Sequence, residues 1–159
     1  MNRRPSTAAL IRRALAARER AYAPYSRYRV GAALLCADGS VVEGCNVENA
    51  SYGLTVCAER VAVFAAVASG RTAFVALAVA TSEGAAPCGA CRQVLREFAG
   101  AADAEGFPIH MADAGGAART RTLGELLPDG FGPKDLASVR AVPGRAPRPR
   151  REARRAGLR

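Results

Sequence analysis

Two short motifs in this sequence combine thiols with a carboxyl group. The first is Cys57-Ala58-Glu59, and the second is Pro87-Cys88-Gly89-Ala90-Cys91. Three cysteine thiolates suit a tetrahedral zinc ion that keeps its fourth position for water, as catalytic zinc sites do. Cys88 and Cys91 are three positions apart, so the first turn of a helix would aim both sulfurs at one point. The motifs therefore predict one Zn²⁺ per chain, bound by Cys57, Cys88 and Cys91.

Glu59 can act on a water at that metal only if it points toward the same place as Cys57. In the middle of a helix, side chains two positions apart diverge by roughly 200°. They can converge at a helix N-terminus, and the apolar helical run begins directly after them. We therefore expect helix N-termini at both motifs, where free N–H groups and the helix dipole also favour thiolate over thiol.

The charge of such a centre predicts further residues beside it. Zn²⁺ with three thiolates has a net charge of −1, which weakens its effect on a bound water. Arg60 and Arg92 each adjoin one of the motifs, and we expect them to donate hydrogen bonds to the sulfurs. Gln93 is predicted to orient one of these arginines.

A C-x-x-C pair alone is a weak signal, and other interpretations of the cysteines stay open. A redox dithiol would use Cys88 and Cys91 and leave the first motif unexplained. A structural zinc site would need a fourth ligand from Cys36, Cys45 or His110; we expect these three to be structural instead. The combined pattern favours another interpretation, since it is the three-cysteine form of the zinc deaminase signature, in which the glutamate is the general acid and base.

The elements that must position these motifs follow from hydrophobic periodicity. Helices are predicted over residues 6–23, 57–69, 87–99 and 123–127, and strands over 29–37, 41–46, 74–80 and 107–112. Asp38-Gly39-Ser40 joins the first two strands as a hairpin turn, and residues 115–122 match neither pattern. Helices that alternate with strands predict an α/β fold, a three-layer α/β/α sandwich with a mixed central sheet.

Charge is distributed unevenly along the 159 residues. The chain carries a net charge of +9, of which +7 lies in residues 140–159 and only +2 in residues 1–139. We therefore predict a catalytic domain over 1–139 and a disordered Arg/Pro-rich tail over 140–159. No apolar run approaches the roughly 20 residues of a membrane helix, and no signal peptide is recognisable. A cytoplasmic location is the resulting prediction.

Several further segments occur together with the zinc motifs. Because these segments occur together and in the same order as in cytidine deaminases of the small, homotetrameric, three-cysteine type, the chain resembles that family from about Ala21 to Leu136. The segments that carry the resemblance are Tyr22-Ala-Pro-Tyr-Ser26, Val30-Gly-Ala-Ala-Leu34, Gly44-Cys-Asn-Val-Glu-Asn-Ala-Ser-Tyr52, Cys57-Ala-Glu-Arg60, Pro87-Cys-Gly-Ala-Cys-Arg-Gln93 and Glu125-Leu-Leu-Pro128. The resemblance implies a homotetramer that hydrolyses cytidine and 2′-deoxycytidine to uridine and 2′-deoxyuridine in pyrimidine salvage, with release of ammonia.

The resemblance also implies roles for individual residues. Cys57, Cys88 and Cys91 would ligate zinc, and Glu59 would be the general acid and base. Asn46 and Glu48 would hold the ribose 3′-hydroxyl, which fits two polar side chains on one face of an extended segment. The other implied substrate contacts are Tyr28 and Phe131 on the pyrimidine, Ala58, and, across a subunit boundary, Ala50 and Tyr52. The family usually has Phe at the position of Tyr28, so the Tyr28 hydroxyl needs a partner.

Two alternative functions remain at this point. A related family of deaminases acts on cytosine nucleoside antibiotics such as blasticidin S and shares the zinc motifs, although the segment around Asn46 and Glu48 fits a nucleoside enzyme better. The arginine-rich tail suggests a nucleic-acid-binding or polynucleotide-editing protein instead. The nearly neutral body of the chain argues against that second alternative.

Overall fold

The central element of the molecule is one mixed, five-stranded β-sheet. The computed structural model describes residues 4–99 and 104–137, so the predicted tail over 140–159 lies outside the described residues. The strands are β1 (Gly31–Cys36), β2 (Val41–Cys45), β3 (Phe74–Ala80), β4 (Pro108–Ala112) and β5 (Ala118–Thr122). Their order is β2-β1-β3-β4-β5, and only β3 and β4 run parallel among these neighbours.

Helices cover both faces of this sheet. They are α1 (Thr7–Arg18), α2 (Ala58–Ala68), α3 (Gly89–Phe98), α4 (Leu123–Leu126) and α5 (Pro133–Ala137). Helix α1 packs across β1, β2 and β3 on one face. Helices α2 and α3 share a hydrophobic cluster with the opposite face. The predicted α/β class and three-layer sandwich are therefore confirmed.

Strand β1 shows why the core divides into two clusters. All six of its residues are buried, as expected for a central strand that is covered on both faces. Ala32 and Leu34 belong to the cluster with α2 and α3, whereas Ala33 and Leu35 belong to the cluster with α1. Successive side chains of a strand point to opposite faces, which explains this alternation.

The first helix is shorter than its periodicity predicts. The Ser6 hydroxyl accepts a hydrogen bond from the Ala9 N–H and caps α1, as expected, but the helix ends at Arg18 rather than at residue 23. The reason lies at Tyr22, whose N–H donates to the Asn46 carbonyl (3.0 Å) and whose carbonyl accepts from the Glu48 N–H (2.8 Å). This strand-like pairing supports the segment that is predicted to bind substrate.

Two elements near the C-terminal end of the described chain had no sequence signal. Strand β5 lies at the edge of the sheet with almost all its side chains exposed, so it lacks the apolar alternation by which strands are recognised. Helix α5 has only five residues, which is too short for a helical repeat of apolar residues to be recognised. None of the helices in the described ranges is long and apolar enough to span a membrane.

Candidate active site

Six of the predicted site residues line a cavity of about 340 Å³. Its lining includes Cys57, Glu59 and Cys88, which we call the metal end, and Asn46 and Glu48, which we call the sugar end. Tyr28 also lines the cavity. The volume is in the range of small-molecule sites. A larger cavity of about 620 Å³ lies beside α3 and residues 129–135 and contains none of the predicted residues.

Two helix N-termini form the metal end, as predicted. Cys57 is the N-cap residue of α2 and Cys88 is the N-cap residue of α3, and both have extended backbone. Neither cysteine side chain caps its helix, whereas Ser, Thr, Asp or Asn would occupy the first N–H groups. These N–H groups are therefore not occupied by a side-chain cap, and the positive ends of both helix dipoles lie beside the metal end.

The three sulfurs are close enough to share one metal ion. The Sγ atoms of Cys57 and Cys88 are 3.8 Å apart, those of Cys88 and Cys91 are 3.4 Å apart, and all three lie within 4.8 Å of one another. A tetrahedral zinc ion with bonds of about 2.3 Å requires sulfurs about 3.8 Å apart. The donor set and its spacing thus fit zinc, and the three cysteines are those predicted.

A glycine in β2 brings Glu59 into this cluster. A Cβ atom at Gly44 would lie 2.4 Å from the Ala58 carbonyl oxygen and 2.6 Å from the Ala62 nitrogen. Only glycine therefore permits the first turn of α2 to pack directly on the strand. As a result Ala58 is fully buried, and Glu59 beside it is only 4% exposed.

Burial and negative charge set the protonation of the metal end when no cation is bound. Burial first, and then the negative charge of the nearby Cys57 thiolate, raise the pKa of Glu59 to about 7. Hydrogen bonding from Cys91 lowers the pKa of Cys57 to about 5, with help from Arg60, while the hydrogen bond to Cys57 and burial raise that of Cys91. The pKa values of Cys57 and Cys91 thus move in opposite directions, because two neighbouring thiolates repel each other. A positive charge nearby is needed before both can ionise.

Arg60 supplies part of that charge, as predicted. Its Nη2 atom lies 3.5 Å from Cys57 Sγ and 3.4 Å from the Thr55 carbonyl oxygen. Its Nε atom is buried and has no hydrogen-bond partner in the described part of the chain. The guanidinium of Arg60 thus places its positive charge beside the Cys57 sulfur.

The predicted hydrogen bonds of Arg92 and Gln93 are wrong. Arg92 donates to the main-chain carbonyls of Pro87 and Leu126, both at 2.7 Å, because carbonyl oxygens are stronger acceptors than sulfur. Gln93 donates to the Phe131 carbonyl at 2.8 Å and orients neither arginine. Arg92 thus connects α3 to the last residue of α4, and Gln93 connects it to the segment that follows α4.

The sugar end is held by hydrogen bonds within the chain. Asn46 accepts from the Val30 N–H and donates to the Tyr28 carbonyl, each at 2.8 Å. Glu48 accepts from the N–H groups of Tyr25 (2.8 Å) and Ser26 (3.2 Å) and from the Ser26 hydroxyl. The Ser26 hydroxyl, followed by these two N–H groups, holds the pKa of Glu48 below its ordinary value. Asn46 and Glu48 face the same cavity, as their spacing predicts.

The Tyr28 hydroxyl has a partner. It donates to Glu83 Oε1 at 2.6 Å, and the Ser82 hydroxyl donates to the other carboxylate oxygen of Glu83. The two hydrogen bonds, that of Ser82 first, lower the pKa of Glu83. This contact joins the turn before β1 to the loop that carries Cys88. Sequence analysis missed Glu83 because 55 positions separate it from Tyr28 and no motif contains it.

Four predicted substrate contacts do not line the cavity of this single chain: Ala58, which is fully buried, and three others. Ala50, Tyr52 and Phe131 are all exposed. Tyr52 packs edge-on against Tyr25, with ring centroids 6.1 Å apart. Ser26, which holds Glu48, belongs to a motif quoted for the resemblance, but its role had no separate signal in the sequence.

The cysteines and histidine outside the two motifs are structural, as expected. Cys36 is buried in the core, and Cys45 donates from its sulfur to the Arg20 carbonyl. His110 is buried in β4, with Nδ1 2.8 Å from the Thr120 hydroxyl. The cluster of potential metal ligands found in the described residues consists of Cys57, Cys88 and Cys91. Cys36, Cys45 and His110 do not belong to it.

Comparisons with known proteins agree with this site. Residues 5–103 match the family model of the cytidine and deoxycytidylate deaminase zinc-binding region. A cytidine deaminase of Halalkalibacterium halodurans is 50% identical over 129 residues, which cover 80% of this chain and 95% of the relative. The crystal structure of cytidine deaminase from Burkholderia pseudomallei has a TM-score of 0.74 at 49% identity and covers 80% of this chain and all of that one. The Mycobacterium tuberculosis enzyme has a TM-score of 0.64 at 47% identity, covering 77% and 94%.

Proposed function

The chain belongs to the cytidine and deoxycytidylate deaminase family, and on that premise we propose that it is a zinc-dependent cytidine deaminase. It hydrolyses cytidine and 2′-deoxycytidine to uridine and 2′-deoxyuridine and releases ammonia. The observation that carries the proposal is that one cavity is lined by two of the clustered thiols, a buried carboxyl group and a prearranged pair of polar side chains. Neither of the alternatives, an antibiotic deaminase or a nucleic-acid-binding protein, has comparable support.

Cys57, Cys88 and Cys91 would hold the zinc ion. When bound, zinc supplies a nucleophile at neutral pH, because it lowers the pKa of a bound water to about 7. Arg60 would offset the net negative charge of the thiolates through its contact with Cys57. The two helix N-termini keep these ligands in place before any metal arrives.

Glu59 would carry the protons of the reaction. It takes a proton from the attacking water, delivers it to N3 of the pyrimidine and thereby makes C4 more electrophilic. After the water oxygen has bonded to C4, Glu59 takes the remaining proton from the new hydroxyl group and passes it to the amino group. The C4–N bond then breaks, ammonia leaves and the C4 carbonyl forms. A carboxyl group whose pKa lies near 7 is suited both to accept and to donate a proton at neutral pH.

Hydrogen-bonding capacity supports a sugar hydroxyl as the ligand of Asn46 and Glu48. A carboxylate has about four acceptor positions, and hydrogen bonds from Tyr25 and Ser26 occupy three of those on Glu48. The Asn46 amide has two N–H bonds, of which one is donated to Tyr28. Within the described residues, Glu48 keeps one acceptor position and Asn46 keeps one N–H, a pair that matches one hydroxyl. The second lone pair of Asn46 Oδ1 also stays open. A site that contacts the 3′-hydroxyl and not the 2′-hydroxyl accepts ribose and 2′-deoxyribose alike.

Charge in the cavity favours a nucleoside over its 5′-phosphate. The side chains that line it include two carboxyl groups, Glu48 and Glu59, and no lysine or arginine from the described ranges. A phosphate bound there would lack the cationic partners that phosphates ordinarily find in proteins. We therefore expect cytidine to be a far better substrate than cytidine monophosphate.

A homotetramer with shared sites would account for the exposed apolar side chains. Several large ones are exposed near the sugar end or on α2, and such surfaces mark interfaces; they are Tyr22, Tyr25, Val47, Tyr52, Leu54 and Phe64. Phe131 is 57% exposed and points away from the core. In the proposed tetramer, Phe131, Ala50 and Tyr52 would contact substrate bound by a neighbouring copy.

An ultraviolet assay on a substrate panel tests the proposal. We expect the zinc-loaded chain to convert cytidine and deoxycytidine with similar efficiency, and cytidine monophosphate and blasticidin S at least about 100-fold more slowly. The Glu59→Gln protein is the matched control for contaminating activity. Conversion of blasticidin S in preference to cytidine would overturn the proposal, as would no conversion of either nucleoside by the zinc-loaded protein.

A further inference from the structure

Two consecutive side chains of α3 reach away from the metal end to one other segment. Directly after Cys91, Arg92 donates from Nη1 to the Leu126 carbonyl and Gln93 donates from Nε2 to the Phe131 carbonyl. The two bonds lie at the two ends of residues 126–131. The helix that carries two candidate zinc ligands thus also holds the segment that ends at an exposed aromatic ring.

Local hydrogen bonds close the segment between those two points. The Gly130 N–H donates to the Leu127 carbonyl at 3.3 Å across Pro128-Asp129. Asp129 has a left-handed backbone (φ 53°), as the third residue of a type II turn requires, and proline is favoured at the second. Beyond Phe131, the Gly132 N–H donates to Asp135 Oδ2 at 2.7 Å. The backbone on both sides of Phe131 is therefore fixed.

This arrangement fixes an aromatic side chain that contributes little to the core of its own chain. Phe131 belongs to neither hydrophobic cluster. A loop that must place a ring in a binding site benefits from being ordered beforehand, because less conformational freedom is then lost on binding. The hydrogen bond from Gln93 is made on an exposed part of α3. It therefore contributes little to the packing of the hydrophobic core.

We propose that Gln93 is a positioning residue, whose hydrogen bond to the Phe131 carbonyl fixes the ring for the substrate site of a neighbouring copy. The inference rests on the proposed function, in which Phe131 contacts substrate across a subunit boundary. Arg92 supports the other end of the segment, but it also binds the Pro87 carbonyl beside Cys88. Gln93 is therefore the residue at which this role can be tested without disturbing the metal end.

The test compares four variants of the full-length, zinc-loaded chain. Gln93→Met keeps the length of the side chain and removes the donor, whereas Gln93→Lys keeps a donor of similar reach. Phe131→Ala removes the ring, and Glu97→Gln changes an exposed residue one turn further along α3 as the control. Each is assayed for kcat and KM with cytidine, for zinc per chain and for melting temperature, together with the Gln93→Met/Phe131→Ala double variant.

The proposal predicts a KM effect that depends on Phe131. Loss of one hydrogen bond that orders a contact should raise KM by about threefold to tenfold, with kcat changed less than about twofold. Gln93→Lys should restore most of the loss, and Glu97→Gln should behave as wild type. In the Phe131→Ala background, Gln93→Met should add nothing further. Amide exchange at Gly130 should become faster in Gln93→Met, while zinc content and melting temperature stay unchanged.

Two kinds of negative result separate the positioning role of Gln93 from the proposed function. Additive effects of Gln93→Met and Phe131→Ala on KM would overturn the positioning role, as would loss of zinc or a lower melting temperature without a KM effect. A Phe131→Ala protein with wild-type KM would instead contradict the shared site in the proposed function, and the inference would fall with it.

Discussion

The two ends of the cavity are built on opposite principles. At the sugar end, Asn46 and Glu48 are already held by hydrogen bonds to the turn before β1, and the ionised form of Glu48 is favoured. At the metal end, three thiols lie within 4.8 Å of one another and burial disfavours the ionised form of Glu59. The polar side chains of the sugar end are held by partners within the folded chain, whereas the thiols of the metal end need a cation to balance their charge.

This difference separates recognition from chemistry. A hydrogen-bonded carboxylate is stable but unreactive, which suits a residue that holds a hydroxyl in place. A buried carboxyl group beside ionisable thiols is costly to fold, and such sites are where catalytic groups acquire perturbed pKa values. Four predictions test this contrast, beginning with the largest expected effect.

Glu59→Gln should abolish nearly all turnover and leave zinc in place. Positioned proton transfer contributes about 10²- to 10⁴-fold, and Glu59 would act more than once in each cycle. The paired variant is Glu48→Gln at the sugar end, which should act mainly by raising KM. The measurement is kcat and KM with zinc per chain, and substantial turnover in zinc-replete Glu59→Gln protein would refute the assigned role.

In the metal-free protein, the same two variants should affect stability with opposite signs. The raised pKa of Glu59 favours its neutral form, so stability is lost as pH rises from about 4.5 through about 7, by about 3 kcal/mol relative to Glu59→Gln. The lowered pKa of Glu48 gives stability that is present above its unfolded-state pKa and lost as pH falls, relative to Glu48→Gln. Denaturant unfolding with a chelator, at a series of pH values, measures both; equal signs would remove the contrast.

Arg60→Ala should weaken zinc binding more than Arg92→Ala. Groups that contact metal ligands typically change affinity by about 10- to 100-fold, and only Arg60 of this pair contacts a sulfur. Competition with a zinc chelator gives the two affinities. Unchanged affinity and activity in both variants would eliminate any role for arginine charge at the metal end.

The smallest effect should come from Tyr28, which lines the cavity but belongs to neither end. Removing the hydrogen bond of Tyr28 to Glu83 by Tyr28→Phe should raise KM by about twofold to fivefold. Glu83→Gln should produce a smaller change, because the amide can still accept from the hydroxyl. A double variant no worse than Tyr28→Phe would show that the two residues act as a pair, and independent, additive losses would show that they do not.

The sequence was most informative where neighbours in the chain are neighbours in the site. The thiols and Glu59 lie at helix N-termini, and Asn46 and Glu48 are two apart on one extended segment, so local geometry predicts their grouping. Adjacency was misleading for Gln93, since residues two apart on a helix point in nearly opposite directions and Gln93 therefore turns away from Cys91.

Contacts between distant segments had no such signal. Glu83 meets Tyr28 and Ser26 meets Glu48 only because the turn before β1 folds against two other loops. Strand β5 is an exposed edge strand without apolar alternation, and α1 ends early because Tyr22 pairs with the segment around Val47. These features depend on tertiary packing rather than on local pattern.

The most direct test of the account is a zinc titration of the metal-free enzyme. The chain is stripped with a chelator, zinc is returned in steps, and cytidine conversion is measured against bound zinc per chain. We predict that activity rises in proportion to zinc and reaches its maximum at one zinc per chain, and that a Cys88→Ala chain neither binds zinc as tightly nor gains activity. Full deamination by the metal-free chain, or by zinc-free Cys88→Ala, would contradict the account.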